Sequence, residues 1–154
     1  MTGVMTWKER YSPKSRAVIG AEIGYVDDDG YLRFKFSGQK IYVHIAAWAL
    51  MTGAWPTQEI DHKDRLPAHN AWNNLREATR SQNKANMTAP KTNSSGIKGV
   101  SWDRSRGKWR AMIKHHPKSR FIGRFETREA AAEAYAREAK RLFKEFACVT
   151  EPAG

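Results

Sequence analysis

The chain contains a small group of residues whose types and spacing suit the hydrolysis of a phosphodiester bond. This chemistry needs a base that takes a proton from water and a hard cation that stabilises charge on the phosphate and the leaving oxygen. His62 suits the base, because an imidazole with a pKa of about 6.5 accepts a proton at neutral pH. Asp61 and Asn83 offer the oxygen ligands that Mg²⁺ or Mn²⁺ prefers. The sequence therefore predicts a metal-dependent site that acts on phosphodiesters.

The elements around these residues must bring them to one place. The pattern predicts a strand, a loop, a second strand and a helix over residues 59–62, 63–73, 74–78 and from 79 onward. Thr79 and Gln82 have the spacing of a capping box, so the helix that carries Asn83 begins there. Neighbouring residues of a strand point to opposite faces, and Asp61 and His62 therefore serve one site only if the strand ends at them. The polar sequence that follows predicts that it does.

The residues upstream of this unit predict a β-hairpin and a short helix. Apolar and charged residues alternate over 30–36, and 40–44 returns as a second strand after a turn. The alanine-rich stretch 45–51 predicts a helix that ends at Thr52 and Gly53.

The last part of the chain predicts a three-stranded antiparallel sheet with one helix. The predicted strands cover residues 99–102, 108–114 and 120–123. Thr127 is the expected cap of the helix. In the middle strand Trp109, Ala111 and Ile113 fall on one face, which we expect to pack against that helix. The basic residues of the same strand are left on the opposite face.

Positive charge is concentrated in this same part of the chain. The net charge of +11 divides as +2, +1 and +8 over residues 1–56, 57–90 and 91–154. The densest stretch runs from Lys98 to Arg120, holds eight basic residues against one acidic residue, and includes Arg104 and Arg106. This asymmetry favours a nucleic-acid partner over a merely solvated surface.

Composition excludes several other classes of protein. The mean hydropathy is −0.72 and no apolar run approaches the roughly 18 residues that span a bilayer, so we expect no membrane protein. The N-terminal residues lack the apolar core of a secretory signal, which predicts a cytoplasmic protein. The single cysteine, Cys148, excludes a disulfide framework and a CxxC zinc site.

The spaced residues around His62 resemble the ββα-metal motif of HNH endonucleases, in particular those encoded by phages and introns. The matching residues are Asp61, His62, Asn70, Asn74, Leu75, Ser81, Gln82 and Asn83, with His44, Trp48, Trp55 and Pro56 in the segment before them. The resemblance implies that His62 is the general base and that Asp61 and Asn83 hold the metal. It also implies that Asn74 orients the hairpin through hydrogen bonds, with Asn70 supporting the motif. The loop after His62 lacks the glycine that is usual in this family.

The C-terminal part resembles the DNA-binding domain of plant ethylene-response factors, the Apetala-two domain. The matching segments are 96–102, 107–111 and 122–135. That family lays a three-stranded sheet, backed by one helix, in the DNA major groove. The resemblance implies contact-face positions for Lys98, Arg110, Lys114 and Phe121. Arg104 and Arg106, from the basic stretch, are further candidates for DNA binding.

These features together predict an α+β protein in which a small ββα-metal nuclease domain precedes a three-stranded antiparallel sheet packed on one helix. The nuclease domain with its N-terminal β-hairpin takes residues 1–90, a linker takes 91–95, and the ethylene-response-factor-like domain takes 96–147. We expect a metal-dependent HNH endonuclease of nicking or homing type that acts on duplex DNA with Mg²⁺ or Mn²⁺.

Two other functions fit parts of the sequence. A DNA-binding transcriptional regulator with an inactive nuclease domain is the main alternative, and the intact Asp61, His62 and Asn83 argue against it. An RNA-binding protein is less favoured, because the C-terminal strands lack the aromatic base-stacking pattern of common RNA modules. We expect a monomer in the cytoplasm of a bacterium or a phage-infected host cell, with no membrane partner and no small-molecule cofactor.

Overall fold

Eight strands and three α-helices, with two short 3₁₀ turns, form the described part of the chain. The structure is a computed structural model and describes residues 3–6, 8, 19–90, 92–115 and 117–149. In chain order the elements are β1 (Tyr25–Val26), β2 (Leu32–Phe36), β3 (Gln39–Tyr42), α1 (Val43–Thr52), β4 (Glu59–His62), β5 (Leu75–Ala78), α2 (Arg80–Asn86), β6 (Val100–Asp103), β7 (Lys108–His115), β8 (Lys118–Phe125) and α3 (Arg128–Phe143), and the 3₁₀ turns are Trp72–Asn74 and Lys144–Phe146. The strands form three antiparallel sheets, which confirms the predicted α+β class. None of the helices in this described part is long and apolar enough to cross a membrane.

The chain divides into two compact units, Met1–Ala78 and Thr79–Gly154. The first contains the sheet β1-β2-β3, the helix α1 and the pair β4-β5, and the second contains α2, the sheet β6-β7-β8 and α3. By this division α2 groups with the C-terminal sheet, whereas the sequence analysis places it in a nuclease domain that ends at residue 90. The functional boundary at residues 91–95 stays a prediction.

The first unit is built on a hydrophobic cluster shared by the N-terminal sheet and α1. Its buried members are Ile23, Phe34, Val43 and Ala46. The predicted continuation of the second hairpin strand to His44 is wrong, because β3 ends at Tyr42 and α1 begins at Val43. The helical spacing of Val43 and Ala46 turns both toward the cluster, and this burial overrides the short alternating pattern. The predicted end of the helix is confirmed, since Gly53 follows it with a φ of 78°.

The antiparallel pair β4-β5 carries the candidate site. Asp61 stands opposite Arg76, and His62 stands opposite Leu75. The predicted first strand is confirmed, since β4 covers the expected residues 59–62. The second begins at Leu75 rather than at Asn74, because Asn74 belongs to the 3₁₀ turn that closes the loop.

The helix α2 begins at the predicted capping box, which is confirmed. The Thr79 side chain accepts a hydrogen bond from the amide of Gln82 at 3.3 Å, and the Gln82 side chain accepts one from the amide of Thr79 at 2.8 Å. Asn83 follows one residue later and is half-buried.

The sheet β6-β7-β8 packs one face on α3, as the sequence predicts. Ala111 and Ile113 of β7 are buried, whereas Trp109 on the same face is half-buried. Alanines fill much of the buried side of α3, so the helix lies close to the strands. Thr127 caps this helix as predicted, accepting an amide hydrogen bond of the first turn at 3.1 Å.

Candidate active site

Asp61 and His62 are buried at the end of β4, with 4% and 5% of their surfaces exposed. The chain turns directly after them, where the amide of Arg65 donates to the carbonyl of His62 at 3.0 Å. The strand thus ends where the sequence predicts, which is the condition for the two neighbours to serve one site.

A hydrogen bond to Asn70 fixes the imidazole of His62. Asn70 Nδ2 donates to the carbonyl of Ala68 at 3.1 Å, so its Oδ1 is the atom that faces His62. That oxygen lies 3.0 Å from His62 Nε2 and only accepts, which puts the proton of the neutral ring on Nε2. His62 Nδ1 therefore keeps the lone pair that a general base needs.

Asn74 closes the loop between β4 and β5. Its Nδ2 donates to Asp64 Oδ1 at 2.9 Å and to the carbonyl of His69 at 2.7 Å. Its Oδ1 accepts from the amide of Asp64 at 3.1 Å. One buried amide thus holds both sides of the loop that contains Asn70, and through it the ring of His62.

Asp64 is a second support of this loop, and sequence reasoning did not single it out. It pairs with His69 and accepts a hydrogen bond from the amide of Leu66 at 2.9 Å. Burial alone would raise the pKa of this carboxyl, but the hydrogen bonds from Leu66, His69 and Asn74 lower it. The carboxylate is thus kept in the form that holds the loop closed.

An ion pair orients the carboxylate of Asp61. Arg76 Nε donates to Asp61 Oδ2 at 2.8 Å, and the two side chains are 14% and 5% exposed. The register of β4 and β5 brings these two charges together, so the pairing is visible only once the register is known. A carboxylate oxygen is the kind of ligand that hard cations prefer, and the role of Asp61 as such a ligand stays a prediction.

His44, to which sequence reasoning gave no chemistry, lies beside His62. The two ring centroids are 5.0 Å apart, with the rings 76° from coplanar. His44 is 7% exposed, and its Nδ1 has no hydrogen-bond partner among the described residues. Burial, and then the charge of His62, lower the pKa of His44 from 6.5 to about 4. A neutral imidazole therefore packs against the candidate base at physiological pH.

The structure brings four of the predicted site residues together in the first unit: Asp61, His62, Asn70 and Asn74. Asn83 lies on α2 in the second unit, with its amide bonded to the carbonyl of Thr79 at 2.9 Å. In the described residues no three His, Cys, Asp or Glu side chains cluster as a set of metal ligands. The binding of a metal by the carboxylate of Asp61 and the amide oxygen of Asn83 stays a prediction.

The face of the second-unit sheet that points away from α3 carries several predicted DNA contacts. Alternation along β7 puts Arg110 and Lys114 on the side opposite its buried residues. Phe121 of β8 shares that side, because it pairs with Met112, and it is 49% exposed. Arg124, which sequence reasoning missed, places its guanidinium 5.1 Å from the ring centroid of Phe121. This face thus combines cations with one exposed aromatic ring.

Arg124 also ties two strands of this sheet together. Its Nε donates to Asp103 Oδ2 at 2.8 Å. Hydrogen bonds from Arg124 and then from Ser105 lower the pKa of Asp103 to about 2. Arg104 and Arg106 are exposed in the turn that follows Asp103.

Lys98 occupies a different place from the other predicted DNA contacts. Its Nζ donates to the carbonyls of Lys84 and Ala85, both at 2.7 Å, and to that of Met87. The last carbonyls of a helix have no intrahelical partner, and an ammonium has three N–H donors, so Lys98 spends its donors on capping α2. The amide of Cys148 adds a bond to the carbonyl of Ala85 at 3.1 Å. The contact of Lys98 with DNA stays a prediction.

Comparison with known proteins bears on this arrangement. Residues 41–85 match the family model described as HNH endonuclease. Protein 3.8 of Escherichia phage T7 is 36% identical to this chain over 105 residues, which cover 68% of this chain and 86% of that protein. No solved structure matches the chain.

Proposed function

Because the chain belongs to the HNH endonuclease family, we propose that it hydrolyses phosphodiester bonds of duplex DNA in a metal-dependent reaction. The observation that carries the proposal is the fixed imidazole of His62. Its Nε2 donates to Asn70, which leaves Nδ1 to take a proton from the attacking water, and the Asp61 carboxylate stands beside it on the strand. A base and an anionic ligand at one strand end are what this hydrolysis requires.

Asp61 and Asn83 are the residues that we propose hold the metal. Their carboxylate and amide oxygens suit Mg²⁺ or Mn²⁺ better than Zn²⁺. A bound cation of this kind supplies charge stabilisation at the phosphate and the leaving oxygen. Arg76 Nε donates to Asp61 Oδ2 and holds this carboxylate in one orientation.

The second unit is proposed to hold the duplex in the manner of an ethylene-response-factor domain. Its support is the net charge of residues 91–154 and the sheet face with Arg110, Lys114 and Phe121. Arg104 and Arg106, exposed in the β6-β7 turn, add cations at the end of that sheet. The relative from a phage supports action inside an infected host cell.

The product that we propose is a nick. The chain has one Asp61-His62-Asn83 set, and one set attacks one strand at a time, so a double-strand break requires a second copy in a symmetric assembly. A monomer that holds the duplex by its groove presents one backbone to the site. An enzyme of nicking or homing type is the form of the activity that we propose.

Supercoiled plasmid tests activity, metal and product together. The full-length protein is incubated with plasmid in Mg²⁺, Mn²⁺ or Zn²⁺, each with and without EDTA. We expect relaxed circles to appear first with Mg²⁺ or Mn²⁺ and no product with EDTA. Restoration by Zn²⁺ alone would show that the ligand set is wrong, and linear DNA at the earliest times would remove the nicking proposal but leave the nuclease. Binding without cleavage under all conditions would favour the regulator with an inactive nuclease domain.

A further inference from the structure

We propose that Arg65 binds a backbone phosphate of the DNA at the cleavage site, an inference that rests on the nuclease activity proposed above. The observation behind it is the backbone of Arg65, which has a φ of 66°. This left-handed conformation is unfavourable for a residue with a side chain and is normally taken by glycine. Strain of this kind concentrates at functional sites.

Hydrogen bonds on both sides hold Arg65 in that conformation. The amide of Asp64 donates to Asn74 Oδ1 at 3.1 Å, and the amide of Leu66 donates to Asp64 Oδ1 at 2.9 Å. The amide of Arg65 itself donates to the carbonyl of His62 at 3.0 Å. The loop thus requires a left-handed residue here, and glycine would meet that requirement without strain. Arginine lowers stability at this position, and we infer that its side chain has a function that offsets this cost.

The side chain of Arg65 is exposed on the turn that follows the candidate base. Lys63, the other cation of this turn, donates from its Nζ to the carbonyl of Asn73 at 2.7 Å and closes the loop. A guanidinium offers a planar fork of N–H donors that matches two oxygens of a phosphate. Carried on a turn bonded to the carbonyl of His62, this fork stabilises the negative charge that develops when the phosphodiester is attacked.

The Arg65→Gly variant separates stability from function. Removing the strain is expected to raise Tm by about 2 °C. Loss of the guanidinium is expected to lower the single-turnover nicking rate at saturating enzyme by about 10- to 100-fold. With a 30-base-pair duplex in EDTA, the slope of log K against log salt should become shallower by about 0.9, the value for one phosphate contact.

Two further variants control for charge and for strain. Arg65→Lys keeps the positive charge without the fork and should recover the salt slope but only part of the nicking rate. Ser37→Gly is the matched strain control, because Ser37 has a φ of 47° in the turn between β2 and β3. It should raise Tm as Arg65→Gly does and leave both the nicking rate and the salt slope unchanged.

The result that overturns the inference is an Arg65→Gly protein that nicks at the wild-type rate with an unchanged salt slope. If His62→Ala loses activity in the same experiment, the proposed nuclease stands while the role of Arg65 falls. If the wild-type protein does not cleave with any metal, the proposed function falls, and the binding experiment alone decides whether Arg65 contacts phosphate. An unchanged slope then refutes the contact, and a slope shallower by about 0.9 supports it.

Discussion

The two compact units differ in where their polar groups lie. Met1–Ala78 holds ten basic and nine acidic residues, so its net charge is +1, whereas Thr79–Gly154 holds seventeen and seven and has a net charge of +10. Most of the buried polar side chains of the described residues belong to the first unit, namely His44, Asp61, His62, Asn70 and Asn74. Under the proposed function, the chemistry depends on short hydrogen bonds that salt screens little, and the affinity for DNA depends on surface charges that salt screens strongly. Substitutions in the first unit should therefore lower the cleavage rate, and substitutions in the second unit should change the affinity for DNA and its salt dependence.

The largest effect is expected from His62→Ala. Loss of the base should lower cleavage by roughly 10²- to 10⁴-fold, while affinity for duplex DNA and its salt slope stay at wild-type values. Nicking rates and salt titrations of the same preparation check both halves of this expectation. A variant that cleaves at the wild-type rate contradicts the assignment of the base, and one that loses affinity contradicts the division between the units.

The second effect concerns pH and His44. Its pKa in the folded protein is about 4 against 6.5 for a free imidazole, so the unfolded chain takes up the proton first as pH falls. The contribution of neutral His44 to the free energy of unfolding is therefore fully present above pH 6.5. It is lost as the pH falls from 6.5 to about 4, by roughly 3 kcal/mol in total. Urea unfolding of wild type and His44→Phe at several pH values measures this loss as a difference. Identical pH dependence of the two proteins would show that the burial of His44 contributes nothing to it.

The third effect belongs to the second unit. Replacing Arg104, Arg106 and Lys114 by Gln should make the salt dependence shallower by about 0.9 for each phosphate contact that is lost. The matched control replaces three exposed cations of the first unit, Lys8, Lys35 and Lys40, by Gln and should leave the slope unchanged. If both sets of substitutions make the salt dependence shallower by the same amount, both units contact the DNA backbone.

A chain shortened after residue 88 is a weaker test of the same idea. It removes Lys98 and Cys148, which bond to the end of α2, and it removes the α3 surface on which α2 packs. Its loss of affinity would then mix lost cations with a frayed helix, whereas side-chain substitutions change the charge alone.

The smallest effect is expected at the capping box. Thr79→Ala removes the bond to the amide of Gln82 and should lower stability by about 1 kcal/mol. Thr127→Ala, which uncaps α3, is the matched control with a similar loss. Since α2 carries the proposed ligand Asn83, only Thr79→Ala should also lower the nicking rate of the folded protein. Equal nicking rates in the two variants would separate the start of α2 from catalysis.

Elements with strong local signals were predictable, and the rest depended on pairing over distance. The capping box at Thr79 and the strand Glu59–His62 follow from residues next to each other in the chain, and both are confirmed. The contacts of Asp61 with Arg76 and of His44 with His62 require the register and the packing, which no local pattern encodes. Lys98 is a further example. Its place in a basic stretch predicts a DNA contact, whereas its hydrogen bonds to the carbonyls of Lys84 and Ala85 are visible only in the structure.

The bonds that close the last turn of α2 constrain how this protein can be recombined. Two strands of its nuclease motif fall in one unit and the helix in the other, and the end of that helix is completed by Lys98 and Cys148, far downstream. A fusion of residues 1–90 to another DNA-binding domain would lose these bonds. The last carbonyls of α2 would then lack their partners, and Ala85, which is buried in this protein, would be exposed. The smallest segment that keeps the end of α2 complete therefore extends as far as Cys148. If the sheet β6-β7-β8 holds the DNA as proposed, a change of target preference is better sought by substituting side chains of this sheet than by exchanging domains.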